Sequence, residues 1–231
     1  MNVLGIVGGL GPESTIDYYR QLIAAYRKRI ADDSYPAIII ASLDVSKALR
    51  LVGAQQYDEL ADYFAGAFEQ LARAGATVGL ISANTPHIVF DQVQARSAIP
   101  IISIVEAACA AVRQQGMSKV ALLGTRFTMQ GRFYPDVFSR TGIALVVPTD
   151  DEQSLIHEKY VDELIPGVFL DATRQRLIGI IRRLQQEERV QGVLLAGTEL
   201  PLILRQQDVP EVPLLDTTAI HVEAAVTRLL S

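Results

Sequence analysis

Four short stretches place amide, hydroxyl or glycine groups where apolar runs end. "NTPH" offers the Asn84 amide, the Thr85 hydroxyl and the His87 imidazole. "GTRFTM" offers Thr125 and Thr128, and "GTEL" sets Thr198 beside Glu199. "GIVGGLGPEST" is rich in glycine around Gly9 and leads into Pro12, Ser14 and Thr15. Hydroxyl and amide donors recurring at strand ends suit recognition of a small carboxylate, which needs only a few convergent donors. Each stretch also has a plainer reading, because Asn or Thr before Pro, and Pro at a first helical position, are ordinary helix-start signals. A dinucleotide reading of the glycine stretch fails on order. It runs G-G-x-G instead of G-x-G-x-x-G, and no acidic residue ends a clear second strand.

The remaining polar candidates are isolated. Asp44 in "ASLDVSK" ends an apolar run, with Lys47 and Arg50 following as possible anion partners. Arg126 reads equally well as a surface ion-pairing residue. His157 and His221 lie singly on helical patterns and read as structural or solvent-facing. Cys109 sits among small residues in "EAACAAV" and reads as packing.

Positioning these groups requires a sheet. Eight continuous apolar runs occur: 3–8, 37–42, 78–83, 99–104, 120–124, 144–148, 192–197 and 212–216. They are rich in Val, Ile and Leu and do not alternate, as expected of strands covered on both faces. Amphipathic stretches at 14–30, 57–74, 154–164, 172–188 and 218–230 predict helices between and after them. Strand alternating with helix implies parallel α/β architecture. A weak internal repeat pairs "VLGIVGGLGPESTIDYY" with "VALLGTRFTMQGRFY", and "RAGATVGLISANTPH" with "ERVQGVLLAGTELPL". The economical reading is two similar α/β halves, 1–102 plus 216–231 and 103–215, with one eight-stranded sheet as the alternative. Ligands of parallel sheets lie beyond the strands' carboxyl ends. That rule selects the loops 8–15, 82–87, 125–129 and 197–200, expected around one cleft.

Composition narrows the partners. Net charge is −5 over 231 residues, and no basic run exceeds Arg27–Arg29, which argues against nucleic acid. No apolar run approaches the roughly 20 residues of a bilayer span. The glycine-interrupted opening reads as a buried strand and not as a signal peptide. One cysteine leaves no intrachain disulfide and no cysteine-based zinc site. A cytoplasmic location is expected.

Taken together, "GIVGGLGPESTIDYY", "RAGA…NTPH", "VALLGTRFTM", the "EL…G" of Glu163–Gly167, "GVLLAGTELPL" and "DTTAIHVEAAV" resemble the aspartate/glutamate racemase family over nearly the whole chain. The resemblance implies two similar α/β domains, a site between them, no cofactor and commonly a homodimer. It implies an amino acid or a similar small carboxylate as substrate, and the donors recurring at strand ends in both halves put forward Asn84, Thr85, Thr125, Thr128 and Thr198, with Gly9, as its binding residues. The family's usual chemistry employs two cysteines, one before "NT" and one before "TE", removing and returning the α-proton on opposite faces. A thiolate suits this because its pKa is tunable near neutrality. Here those positions are Ala83 and Gly197, neither able to carry a proton.

Two accounts of the missing thiols are open: a natural member with other chemistry or a binding role, and a variant from which both cysteines were removed. The smooth reading of "SANTPH" and "AGTELP" favours the first. An active enzyme then needs other acid–base groups, for which Glu199 is a candidate with His87 or Asp44 opposite. The expected function is a cofactor-independent racemase acting on Asp, Glu or a similar carboxylate. The alternatives are a carboxylate-binding pseudoenzyme and an isomerase or lyase on a small dicarboxylate. Side chains restored at 83 and 197 are expected to fit with little strain, unless Gly197 has a positive φ.

Overall fold

The computed structural model describes residues 2–231. Eight parallel strands form two separate four-stranded sheets, not one sheet of eight. In the first sheet the strands are β1 (Leu4–Gly8), β2 (Ile38–Ser42), β3 (Val78–Ile81) and β4 (Ile101–Ile102), ordered β2-β1-β3-β4. In the second they are β5 (Lys119–Gly124), β6 (Ala144–Val146), β7 (Val193–Ala196) and β8 (Leu214–Asp216), ordered β6-β5-β7-β8. The two orders are the same, so the sequence repeat is a topological repeat. The compact units are 2–104 with 218–231, and 105–217.

The helices are α1 (Pro12–Arg27), α2 (Val45–Gly53), α3 (Tyr57–Arg73), α4 (Phe90–Arg96), α5 (Ile104–Gln114), α6 (Arg126–Gln130), α7 (Phe133–Phe138), α8 (Asp150–Lys159), α9 (Asp171–Glu188), α10 (Leu200–Ile203) and α11 (Thr217–Leu230). Every apolar run became a strand, and the central strands β1, β3 and β7 are buried throughout because helices cover both faces. The edge strand β2 is only partly covered. In the first unit Leu4, Ile6, Val78 and Leu80 pack against Tyr18 and Leu22 of α1 and Val222, Ala225 and Val226 of α11. In the second, Ala121, Leu123, Val193 and Leu195 pack against Ile156, Leu177, Ile181 and Leu184. Among the described residues, no helix is long and apolar enough to cross a membrane.

One helix differs from its sequence reading in a way that matters for the site. The amphipathic stretch 154–164 is two elements. The first, α8, begins earlier, at Asp150, because Thr149 and Glu152 form a reciprocal capping box ahead of the apolar face. It gives way to a π-helical turn, Tyr160–Leu164, in which the Ile165 N–H bonds the Tyr160 carbonyl at 3.0 Å. The Glu163 side chain ties that turn to its surroundings. It pairs with Lys159 Nζ at 2.8 Å and accepts a hydrogen bond from the Thr173 hydroxyl of α9. The Lys159 bond, then the Thr173 bond, hold the Glu163 carboxyl below its ordinary range.

Candidate functional site

In the first unit the loops after β1 and β3 lie side by side because those strands are hydrogen-bonded neighbours. The Ser82 N–H and hydroxyl both donate to the Val7 carbonyl, at 3.0 and 3.2 Å. Ser82 Oγ lies 3.3 Å from Thr15 Oγ1, which in turn accepts the Gly9 N–H at 2.9 Å. Gly9 is required by its backbone: φ is 80°, and a Cβ there would stand 2.3 Å from the Leu43 carbonyl oxygen. Its N–H is thus engaged with Thr15. Pro12 opens α1, as its position suggests, while Ser14 and Thr15 bond back to the Gly11 carbonyl.

At the end of β3, Ala83 and Asn84 are buried and Thr85 is half-buried. His87 is buried and stacked on Phe90, with ring centroids 5.0 Å apart. Its Nε2 accepts the Ile104 N–H at 3.3 Å, which places the proton of the neutral ring on Nδ1. Burial, reinforced by His221, lowers its pKa to about 3, only partly offset by the Asn84 and Ala83 carbonyls. The ring is therefore neutral at ordinary pH and pins the β4–α5 turn. Asp44 is exposed and caps α2, accepting the Ser46 N–H at 2.8 Å while its own N–H donates to Tyr63 Oη at 2.9 Å. Lys47 lies over the Tyr63 ring, 4.1 Å from its centroid.

The single histidines and the cysteine have structural surroundings. His221 is buried; its Nε2 lies 2.9 Å from the Ile102 carbonyl and its Nδ1 2.9 Å from Tyr18 Oη. A carbonyl can only accept, so Nε2 carries the proton and Nδ1 accepts from tyrosine. Burial lowers its pKa to about 4. His157 is edge-on to Phe127 and takes the Arg126 N–H at 3.4 Å. Cys109 is buried, with Sγ 3.4 Å from Thr141 Oγ1.

In the second unit β5 and β7 are likewise neighbours, bringing together the loops that follow them. Thr125 caps α6, accepting the Thr128 N–H at 3.3 Å, and the two hydroxyls are 3.2 Å apart. Thr125, Thr128, Thr198 and Glu199 are all buried. Glu199 is 1 % exposed, and its Oε2 accepts the Thr198 hydroxyl at 3.0 Å. The same oxygen accepts a short hydrogen bond from Tyr160 Oη, and the Glu199 N–H donates back to that phenol oxygen at 3.2 Å.

Tyr160 is the residue that sequence reasoning missed. It is 4 % exposed, belongs to the π-helical turn, and packs directly over Gly197. A Cβ at 197 would stand 2.5 Å from Tyr160 Cε2, 2.8 Å from its hydroxyl and 3.0 Å from Cζ. The expectation that a side chain fits at 197 with little strain is therefore corrected. Gly197 is outside the positive-φ region, so the obstacle is the phenol ring and not the backbone. Burial, then the Glu199 charge and hydrogen bond, hold the Tyr160 hydroxyl well above its ordinary pKa. The phenol is thus protonated and the carboxylate is its acceptor. A tyrosine in a helix gives no sequence signal of such pairing, although π-helical turns frequently occur at functional sites.

Comparison with known proteins places the chain in a family. Residues 7–225 match the model of Asp/Glu/Hydantoin racemase. The chain is 24 % identical to the broad specificity amino-acid racemase RacX of Bacillus subtilis, over 99 % of both chains. It is also similar to a crystal structure from Yersinia pestis described, provisionally, as an Asp/Glu racemase (32 % identity, 100 % of both chains, TM-score 0.89). An aspartate racemase homologue from Pyrococcus horikoshii OT3 gives 32 % identity, 100 % of both chains and a TM-score of 0.83.

Proposed function

Because the chain belongs to the Asp/Glu/hydantoin racemase family, we propose that it is a cofactor-independent enzyme of amino-acid α-proton transfer, racemase-like, acting on Asp, Glu or a similar small carboxylate. The observation that carries the reading is the buried Glu199 carboxyl at the end of β7, next but one to Gly197 and ringed by hydroxyl groups. Taking a carboxyl group out of water is costly, and buried acid groups concentrate where proton transfer is needed. Asn84 and Thr85 in the first unit, and Thr125, Thr128 and Thr198 in the second, are proposed to hold the substrate's carboxylates. Gly9 is proposed to shape the first of these two half-sites by its turn. Asp44 and His87 are weaker acid–base candidates, since one is an exposed helix cap and the other a neutral ring bonded to the Ile104 N–H.

Catalysis at the α-carbon needs a group that accepts the proton and donors that stabilise the resulting enolate-like charge. Glu199 is suited to the first role and the hydroxyl groups to the second. The test is incubation of the purified protein in D₂O with single enantiomers of a panel of amino acids and small dicarboxylates, with α-proton loss followed by NMR. Exchange without added cofactor supports the reading. A ligand that raises Tm with no exchange supports a carboxylate-binding role instead, and neither effect with any compound refutes both.

A further inference from the structure

We propose that Tyr160 and Glu199 act together as the acid–base group of the second unit, in the space that a side chain at position 197 would otherwise fill. The inference rests on the racemase-like reading and names the proton carrier within it. Three features of the second unit converge here. The phenol oxygen lies 2.8 Å from where a Cβ at Gly197 would stand, so it occupies the neighbourhood a residue-197 side chain would reach. The pair is tied at both ends, since Tyr160 donates to Glu199 Oε2 and the Glu199 backbone N–H donates to Tyr160 Oη. The π-helical turn, anchored by Lys159, Glu163 and Thr173, delivers Tyr160 to this point from another element of the same unit.

The step balances without a further reactant. As the substrate Cα–H bond breaks, the α-proton bonds to Tyr160 Oη. The phenol's own proton passes along the existing hydrogen bond to Glu199 Oε2, and the electron pair remains on the substrate, delocalised into its carboxylate. Reversal returns a proton to the same face. A single acid–base group removes and returns the proton on one face, so one enantiomer is exchanged with solvent faster than it is inverted, which distinguishes this device from two thiols acting on opposite faces.

The experiment compares wild type, Tyr160→Phe and Glu199→Gln in D₂O, following α-deuteration by NMR and inversion by chiral chromatography, with ligand-induced Tm shifts as the measure of binding. The expected result is deuteration of one enantiomer by wild type outpacing its racemisation. Deuteration should fall about 10²–10⁴-fold in each variant, the usual worth of a positioned acid–base group, with the Tm shift retained. Tyr160→Phe keeps the ring and its packing. Should it not fold, Glu199→Gln, which keeps the shape and loses the proton acceptor, decides the matter alone. Wild-type exchange that persists within a few-fold in a folded variant overturns the assignment of the pair while leaving the racemase-like reading intact. Wild-type exchange with inversion at an equal rate overturns the one-sided step. Absence of exchange in wild type overturns the racemase-like reading itself, and the pair with it.

Discussion

Replacing Gly197 by alanine is the smallest perturbation that probes the Tyr160 packing. The added methyl group would meet Tyr160 Cε2 at 2.5 Å and its hydroxyl at 2.8 Å, well inside van der Waals contact. The ring cannot retreat freely, because its hydroxyl is held by Glu199 from both side chain and backbone. Overpacking of a filled interior costs about 1–3 kcal/mol. If the ring moves, the buried carboxylate loses its phenol donor, at about 1–3 kcal/mol more. Removing glycine's freedom from the unfolded chain returns roughly 0.4–1 kcal/mol. The net destabilisation expected is about 1–5 kcal/mol, or roughly 2–20 °C in Tm at about 2–4 °C per kcal/mol for a chain of this size. Residues in direct contact do not add, with coupling of about 0.5–3 kcal/mol. In a Tyr160→Leu background the same glycine substitution should therefore cost markedly less. The assay is thermal or urea unfolding of wild type, both single variants and the double variant. A Gly197→Ala protein melting within 1 °C of wild type, or strict additivity in the cycle, would refute the argument (the ~1 °C bound being under the effect of about 0.5 kcal/mol).

The remaining predictions follow from the same structure. Restoring thiols by Ala83→Cys with Gly197→Cys should yield no racemase activity while Tyr160 is present, and adding Tyr160→Leu should reveal it; activity in the double variant by chiral chromatography would show that the ring gives way. Thr198→Val should weaken binding of the ligand several-fold and also destabilise by about 1–3 kcal/mol, because the lost hydroxyl donates to a buried carboxylate. Calorimetry and thermal melting should report both losses, and unchanged stability would mean that Glu199 finds another donor. Stability should fall in mild acid. His87 and His221 have folded pKa values lowered to about 3 and about 4, so their contribution is complete above the unfolded value near 6.5 and is lost as pH falls from there toward the folded values. At about 1.4 kcal/mol per pH unit for each ring, the loss between pH 6.5 and 5 is roughly 2–4 kcal/mol. A Tm that is flat over that window would mean the two rings are protonated without unfolding.

How much was legible in the sequence depended on whether the signal was local. The strands could be read because burial on both faces demands continuous apolar runs, and Leu4–Gly8, Val78–Ile81 and Val193–Ala196 are such runs. The donors at their carboxyl ends were legible for the same reason, since a parallel sheet delivers every strand to the same end. The repeat in sequence likewise foretold two sheets of one strand order. Short helices such as Arg126–Gln130 and Leu200–Ile203 have too few turns to show a period, and they went unread. Gly197 could be seen to lack a thiol, but not to lie under a phenol ring. Tyr160 and Glu199 are 39 residues apart, and the stretch that carries Tyr160 reads in sequence as ordinarily amphipathic up to Leu164. Their meeting needs the crossover that packs this helix against the sheet, together with the i,i+5 turn that sets the ring over residue 197. Sequence periodicity encodes which face of an element is buried. Which two side chains share one buried volume is decided by packing in three dimensions, because that volume exists only once both elements are in place.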